Sequence, residues 1–151
     1  MTAETIQLEA IGHVRHPVPD EDVACRRRDL VSEIVILERF APALEGIEAW
    51  SHLFVLFWMH KVASAGPAPL RAHPRGRAEL PELGVLASRG RQRPNPVGLA
   101  VVELLERRDN ILVVRKLDAF AGTPVLDLKP YDNYDVVNEL RTPAWWQALT
   151  R

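Results

Sequence analysis

Apolar residues in this chain come in short runs, each stopped by proline, glycine or a charged turn. IQLEAIGHV (6–14) alternates apolar and polar residues, as a strand with one buried face does. SEIVILERF has strand composition, and SHLFVLFWMH is continuously apolar, which predicts a strand buried on both faces. GVLAS is a short strand candidate. VGLAVVELLER and NILVVRKLDAF flank the turn signal RDN and read as a hairpin. TPVLDLKPY is a further strand, stopped by Pro130. Helices are few: APALEGIEAW holds a helical turn, and the tail TPAWWQALTR has Thr142 as N-cap and Pro143 at the first helical position. Many short strands with this punctuation predict a mainly β chain, a small closed barrel with a few short helices rather than an α/β layer.

A length of 151 residues suits one domain with one core, expected to span 1–151. The net charge of −1 gives no overall field that attracts a polyanion, so a nucleic-acid role needs a local patch. The lone cysteine, Cys25, excludes an internal disulfide. MTAETIQLEAIG lacks the basic start and apolar stretch of a secretion signal, and LFVLFWM is too short to span a bilayer, so a cytoplasmic location is expected.

No nucleophile or metalloprotease motif occurs, and no G-x-G-x-x-G follows a strand, so the usual dinucleotide fold and phosphate loop are unsupported. His13 and His16 lie three apart, but no carboxylate or cysteine cluster completes a metal site. His52 and His60 lie eight apart, which on one strand puts both on the same side. His60 is either a structural strand-end histidine or a polar group at a pocket rim. Arg71, Arg75, Arg77, Arg89, Arg91 and Arg93 with His73 face only Glu79 and Glu82, and Arg26, Arg27 and Arg28 form a second basic cluster. Each alone suits a solvated loop; together they suit a phosphate-bearing ligand, an RNA or a nucleotide. Residues 63–83 form one long loop-like stretch, of a length that is usually functional or disordered. In RQRPNPVGL (91–99), Pro94 and Pro96 hold Arg93 and Asn95 extended, and Gly98 leaves room for a ligand or another backbone. The segment is a preformed binding loop or a tight structural turn.

GVLASRGRQRPNPVGLAVVELLE, followed by LDAFAGTPVLDLKPY and preceded by LEGIEAWSHLFVLFWMHK, resembles the TsaA-like (TrmO) family, with R-P-N-P-[IV]-G and G-T-P-V-x-D-x-K-P-Y in order. The likeness runs from about Ile6 to Tyr134, leaving 135–151 as a helical tail. It implies a non-Rossmann β-barrel, usually a homodimer, that binds S-adenosylmethionine near the subunit interface. It implies methylation of N6 of threonylcarbamoyladenosine at position 37 of tRNA. The implied cofactor contacts are Arg26, Arg27, Arg28, Asp29 and Leu30, His60 and Lys61, Arg89, Leu99, and Asp118 to Pro124, including Ala121, Gly122 and Thr123. Arg93 and Asn95 are expected to shape the site, and His60 is the candidate base. The chain departs from the family where P-R-Q becomes CRRRDLV, A-T-R-S becomes ASRG, and D-G-T-P becomes AGTP with Ala121 for the acid. Many bacterial members carry a C-terminal domain that this chain is expected to lack. The alternatives are a small-molecule acceptor or a noncatalytic module that binds S-adenosylmethionine or an adenine nucleotide.

Overall fold

The computed structural model describes residues 4–150; Met1 to Ala3 and Arg151, the ends of the expected domain and tail, lie outside them. Two compact units are formed, one from residues 4–60 and 97–131, the other from 61–96 and 132–150.

In the first unit the chain runs through β1 (Gly12–Arg15), α1 (Asp20–Arg26), β2 (Val31–Ile36) and two short 3-10 turns, Glu38–Leu44 and Ile47–Ala49. β3 (His52–Trp58) follows, and α2 (His60–Ala63) begins at the unit's last residue before the excursion. Among the described residues, β1 and β2, with three strands that return after Val97 and with β3, close a six-stranded barrel. All its neighbours are antiparallel.

Period-two patterning builds the core. Val14, Ile34 and Ile36, then Leu53, Val55 and Phe57, point inward and are 5% exposed or less. Fully burying each such side chain stabilises the fold by about 1.5–3 kcal/mol. SHLFVLFWMH does not form a strand buried on both faces. Only 52–58 pair, and burial alternates, because the outward residues are half-buried on the barrel wall. The first strand begins at Gly12 rather than Ile6; Ile6 and Leu8 are exposed.

The second unit holds β4 (Arg71–Ala72) paired with β5 (Leu83–Gly84). GVLAS is thus mostly not strand: Val85–Ala87 closes into a 3-10 turn after two paired residues. The long 63–83 stretch is organised by this pair and by His73, whose Nδ1 lies 2.7 Å from the Leu80 carbonyl oxygen. The chain re-enters the barrel as β6 (Val97–Arg108), turns at Asp109 and Asn110 into β7 (Ile111–Arg115), and returns through β8 (Pro124–Pro130). The RDN hairpin forms as expected, with Asp109 at φ 52°. The tail ends in α3 (Ala144–Thr150), whose first amides, Trp146 and Gln147, donate to the Pro143 carbonyl. Thr142 therefore sits one residue before the cap and instead receives the Gln147 side-chain amide at 3.1 Å. No helix among the described residues is long and apolar enough to cross a membrane.

Register decides which strand ends share a rim. Phe57 pairs with Val125 and Trp58 with Val97, so β3 ends where β6 and β8 begin. Val31 pairs with Arg115 and His13 with Pro124, so β1 and β7 end, and β2 begins, at that same rim. The 16–30 and 116–123 connections therefore both cross it.

Candidate functional site

Two of the implied cofactor segments meet on this rim. α1 ends at Arg26, whose carbonyl accepts from the amides of Asp29 (3.0 Å) and Leu30 (2.9 Å). Arg26, Arg27, Arg28 and Asp29 are exposed, whereas Leu30 is buried in a small cluster with Val18, Val23 and the half-buried Phe120. The Lys116 amide donates to the Leu30 carbonyl at 2.9 Å, fastening the 116–123 connection to the end of the α1 segment. Farther along, Gly122 donates to the Val14 carbonyl (2.8 Å) and Val14 to the Thr123 carbonyl (2.9 Å).

Leu117 and Ala119 fill the core, so alternation turns Asp118 outward. The residue has exposed surface, but the atoms around its carboxyl strip enough water to push its pKa up; the Arg27 guanidinium pulls the other way. Gly122 sits at φ +81°, a left-handed conformation that suits glycine, with open space where a β-carbon would project. Ala121 is half-buried, Thr123 is buried, and Pro124 opens β8.

His60 and Leu99 belong to the same rim through the β3–β6 register. His60 is half-buried and opens α2; it does not share a strand face with His52, because β3 stops at Trp58. Leu99 points outward. Gly98 does not open space for a ligand: a β-carbon there would collide with the ring of Phe57, its partner across β3 and β6.

In the second unit, Lys61 is exposed, and its carbonyl accepts from Ser64 Oγ at 3.0 Å. Arg93 is half-buried and directs Nη1 at the carbonyl oxygens of Val85 (3.2 Å), Ser88 (2.9 Å) and Gly90 (3.2 Å). Its guanidinium thus braces the turn carrying Arg89. Arg89 is exposed, with its guanidinium carbon 6.0 Å from the Trp146 ring centre. Asn95 is exposed, and Pro96, the residue before β6, is buried. The basic set is thinner than its count suggests, since Arg71 pairs with Glu82 and Arg77 with Glu79.

His16 is the residue that sequence reasoning passed over. It is buried, and both ring nitrogens meet backbone groups: Nε2 lies 2.9 Å from the Ala119 carbonyl oxygen, and Nδ1 lies 3.2 Å from the Val18 amide. The available signal was register: Gly12, Val14, His16 and Val18 continue one inward alternation beyond the strand.

Comparison with known proteins places the chain. Residues 15–135 match the tRNA-methyltransferase O N-terminal domain. The chain belongs to the TrmO N-terminal domain family. An S-adenosyl-L-methionine-binding protein of Archaeoglobus fulgidus is 44% identical over 137 residues, covering 88% of this chain and 95% of that protein. The tRNA (adenine(37)-N6)-methyltransferase of Escherichia coli is 37% identical over 139 residues, covering 84% of this chain but 58% of the enzyme. A crystal structure of TrmO superposes with a TM-score of 0.73 at 32% identity, over 92% of this chain and 64% of that one. The chain thus spans nearly all of its archaeal relative and less than two thirds of the TrmO structure. The TrmO match contains the whole rim from Arg26 through Pro124, together with Arg89, Arg93 and Asn95.

Proposed function

We propose that the chain binds S-adenosylmethionine and transfers its methyl group to N6 of threonylcarbamoyladenosine at position 37 of tRNA. Family membership supports methyl transfer. The observation that carries the cofactor reading is Asp118: its carboxyl sits on the rim with its ionised form disfavoured by lost water, and a cation beside it relieves that cost. The cofactor presents both an ammonium and a sulfonium. Such a group fits there, with exposed Leu99 an apolar surface on the same rim and the Arg26–Leu30 segment against the Asp118–Pro124 segment. The resemblance adds Lys61, Arg89, Arg93 and Asn95 as expected cofactor contacts, and it treats 1–151 as a single domain.

When bound, the cofactor supplies an already activated methyl group, so the protein's work is orientation and exclusion of water. That is why no nucleophile or metal motif is needed. His60 is our candidate to accept the proton of the attacking nitrogen. Exposed arginines Arg26, Arg27 and Arg28 supply phosphate contacts. We also propose a homodimer and a cytoplasmic location. On the outward face of β6, Leu99 (60% exposed) and Val101 form a small apolar patch suited to a second copy, ending at Glu103, which pairs with Arg115.

Titration calorimetry with S-adenosylmethionine, followed by methyl-group incorporation into threonine tRNA carrying the threonylcarbamoyl group, tests the proposal. Binding and incorporation are expected, with weaker binding for Arg89→Ala and slower transfer for His60→Ala. Absence of binding overturns it. A second reading is favoured by the archaeal relative that this chain matches over nearly its full length, which is named for binding S-adenosyl-L-methionine. In that reading the chain binds the cofactor and either methylates a small molecule or transfers nothing. Binding without incorporation into tRNA selects it.

A further inference from the structure

His16 is a buried titratable side chain to which the proposed chemistry gives no part. It lies one residue beyond β1, in the inward register of Gly12, Val14 and Val18. The Val18 amide is a donor, so Nδ1 must accept, and the ring proton resides on Nε2. Nε2 therefore donates to the Ala119 carbonyl at 2.9 Å. The two partners stand on different segments. Val18 leads into α1 and the Arg26–Leu30 turn, while Ala119 sits between Asp118 and Phe120. A single imidazole thus spans both halves of the proposed cofactor rim, across 103 positions of sequence.

Backbone hydrogen bonds hold the ends of the Asp118–Pro124 connection, at Lys116 and at Gly122 and Thr123. The His16 contact falls between these, beside the carboxyl that the cofactor reading depends on. We propose that His16 is a positioning residue, whose Nε2–H to the Ala119 carbonyl sets the placement of Asp118 against the Arg26–Leu30 segment for cofactor binding. This inference rests on the cofactor reading above, and its chemistry separates the two hydrogen bonds. Glutamine places an amide donor near where Nε2 stands and gives up the Nδ1 acceptor. Asparagine keeps an acceptor for the Val18 amide two residues on, as in an Asx turn, and gives up the reach to Ala119.

The test compares wild type, His16→Gln, His16→Asn and His16→Ala by amide hydrogen exchange without ligand and by calorimetry with S-adenosylmethionine. Losing one hydrogen bond corresponds to about a tenfold change in an equilibrium. Exchange at Leu117 to Thr123 is expected to quicken about tenfold in the Asn and Ala variants and to stay near wild type in Gln, with cofactor affinity in the same order. Exchange or affinity that follows each variant's melting temperature, with no advantage for Gln over Asn, overturns the inference and leaves His16 a structural residue. So does faster exchange with unchanged affinity. A wild-type protein that binds no S-adenosylmethionine removes the cofactor reading instead, and the exchange order alone then upholds or overturns the His16–Ala119 tie.

Discussion

Replacing Gly98 with alanine puts a methyl group where the ring of Phe57 lies. The two residues pair across β3 and β6, and both are buried. A β-carbon at 98 falls inside the van der Waals envelope of Phe57 Cε2 and Cζ and only 2.7 Å from Cδ2. Ordinary carbon–carbon contact is about 3.5–4.0 Å, so the ring must move by about 1 Å or more. Phe57 is 5% exposed and packed among core residues, which leaves no free direction for that movement. Overpacking of this kind costs about 1–3 kcal/mol. For a chain of this size that lowers the melting temperature by about 2–12 °C. Urea denaturation followed by circular dichroism measures the cost, and a cycle with Phe57→Leu assigns it. Leucine gives up the ring edge that the methyl needs, so the double variant is expected to be more stable than the sum of the single changes by about 1 kcal/mol. Additivity within about 0.5 kcal/mol refutes the assignment of the clash to Phe57.

Asp118→Asn separates stability from function. The raised native pKa means the folded state holds more protons between the unfolded value and the native one, so stability falls as pH rises through that window. The Asn variant is expected to be more stable than wild type at neutral pH, to lose that advantage in acid, and to bind S-adenosylmethionine more weakly; equal stability at both pH values counts against the desolvation. Ser32 Oγ is buried without a hydrogen-bond partner among the described residues, so Ser32→Ala is expected to leave stability unchanged or raise it by about 1 kcal/mol, and a clear loss on thermal unfolding refutes this. Arg93→Ala removes the brace from the carbonyls of Val85, Ser88 and Gly90, and faster exchange and proteolysis confined to residues 85–91 are expected; unchanged protection there refutes the brace.

The barrel was legible because its strands carry the period-two signal and its turns carry the usual residues. Asp109 accepts a positive φ where RDN predicted a hairpin, and Pro130 closes β8 as its ring requires. Where legibility failed, the cause is physical. SHLFVLFWMH read as buried on both faces because Phe54 and Leu56 are as apolar as Leu53 and Val55, although the first pair lies on the outer wall and is half-buried there. Composition reports what a face can tolerate, and only strand pairing says which face turns inward. Gly98 shows the same limit at one residue: a missing side chain announces close approach, but the sequence does not say that the approaching group is Phe57, 41 positions upstream (98 − 57).

The candidate site divides in the same way. The family motifs name candidate residues, yet motifs do not say which side chains face outward and which hold backbone. Arg93, central to the R-P-N-P signature, directs its guanidinium at three carbonyls on both sides of Arg89, so a signature residue here shapes the loop that presents another. His16 lies outside the quoted motifs and yet meets Ala119 within LDAFAGTPVLDLKPY and Val18 on the way into α1. Buried polar groups are costly unless paired. A histidine in the inward register of a strand must therefore find partners, and in a closed barrel these come from the neighbouring connections on its own rim. Polar residues in inward register just beyond a strand end thus point to where two distant loops are stitched together, and in this chain those loops are the ones proposed to hold the cofactor.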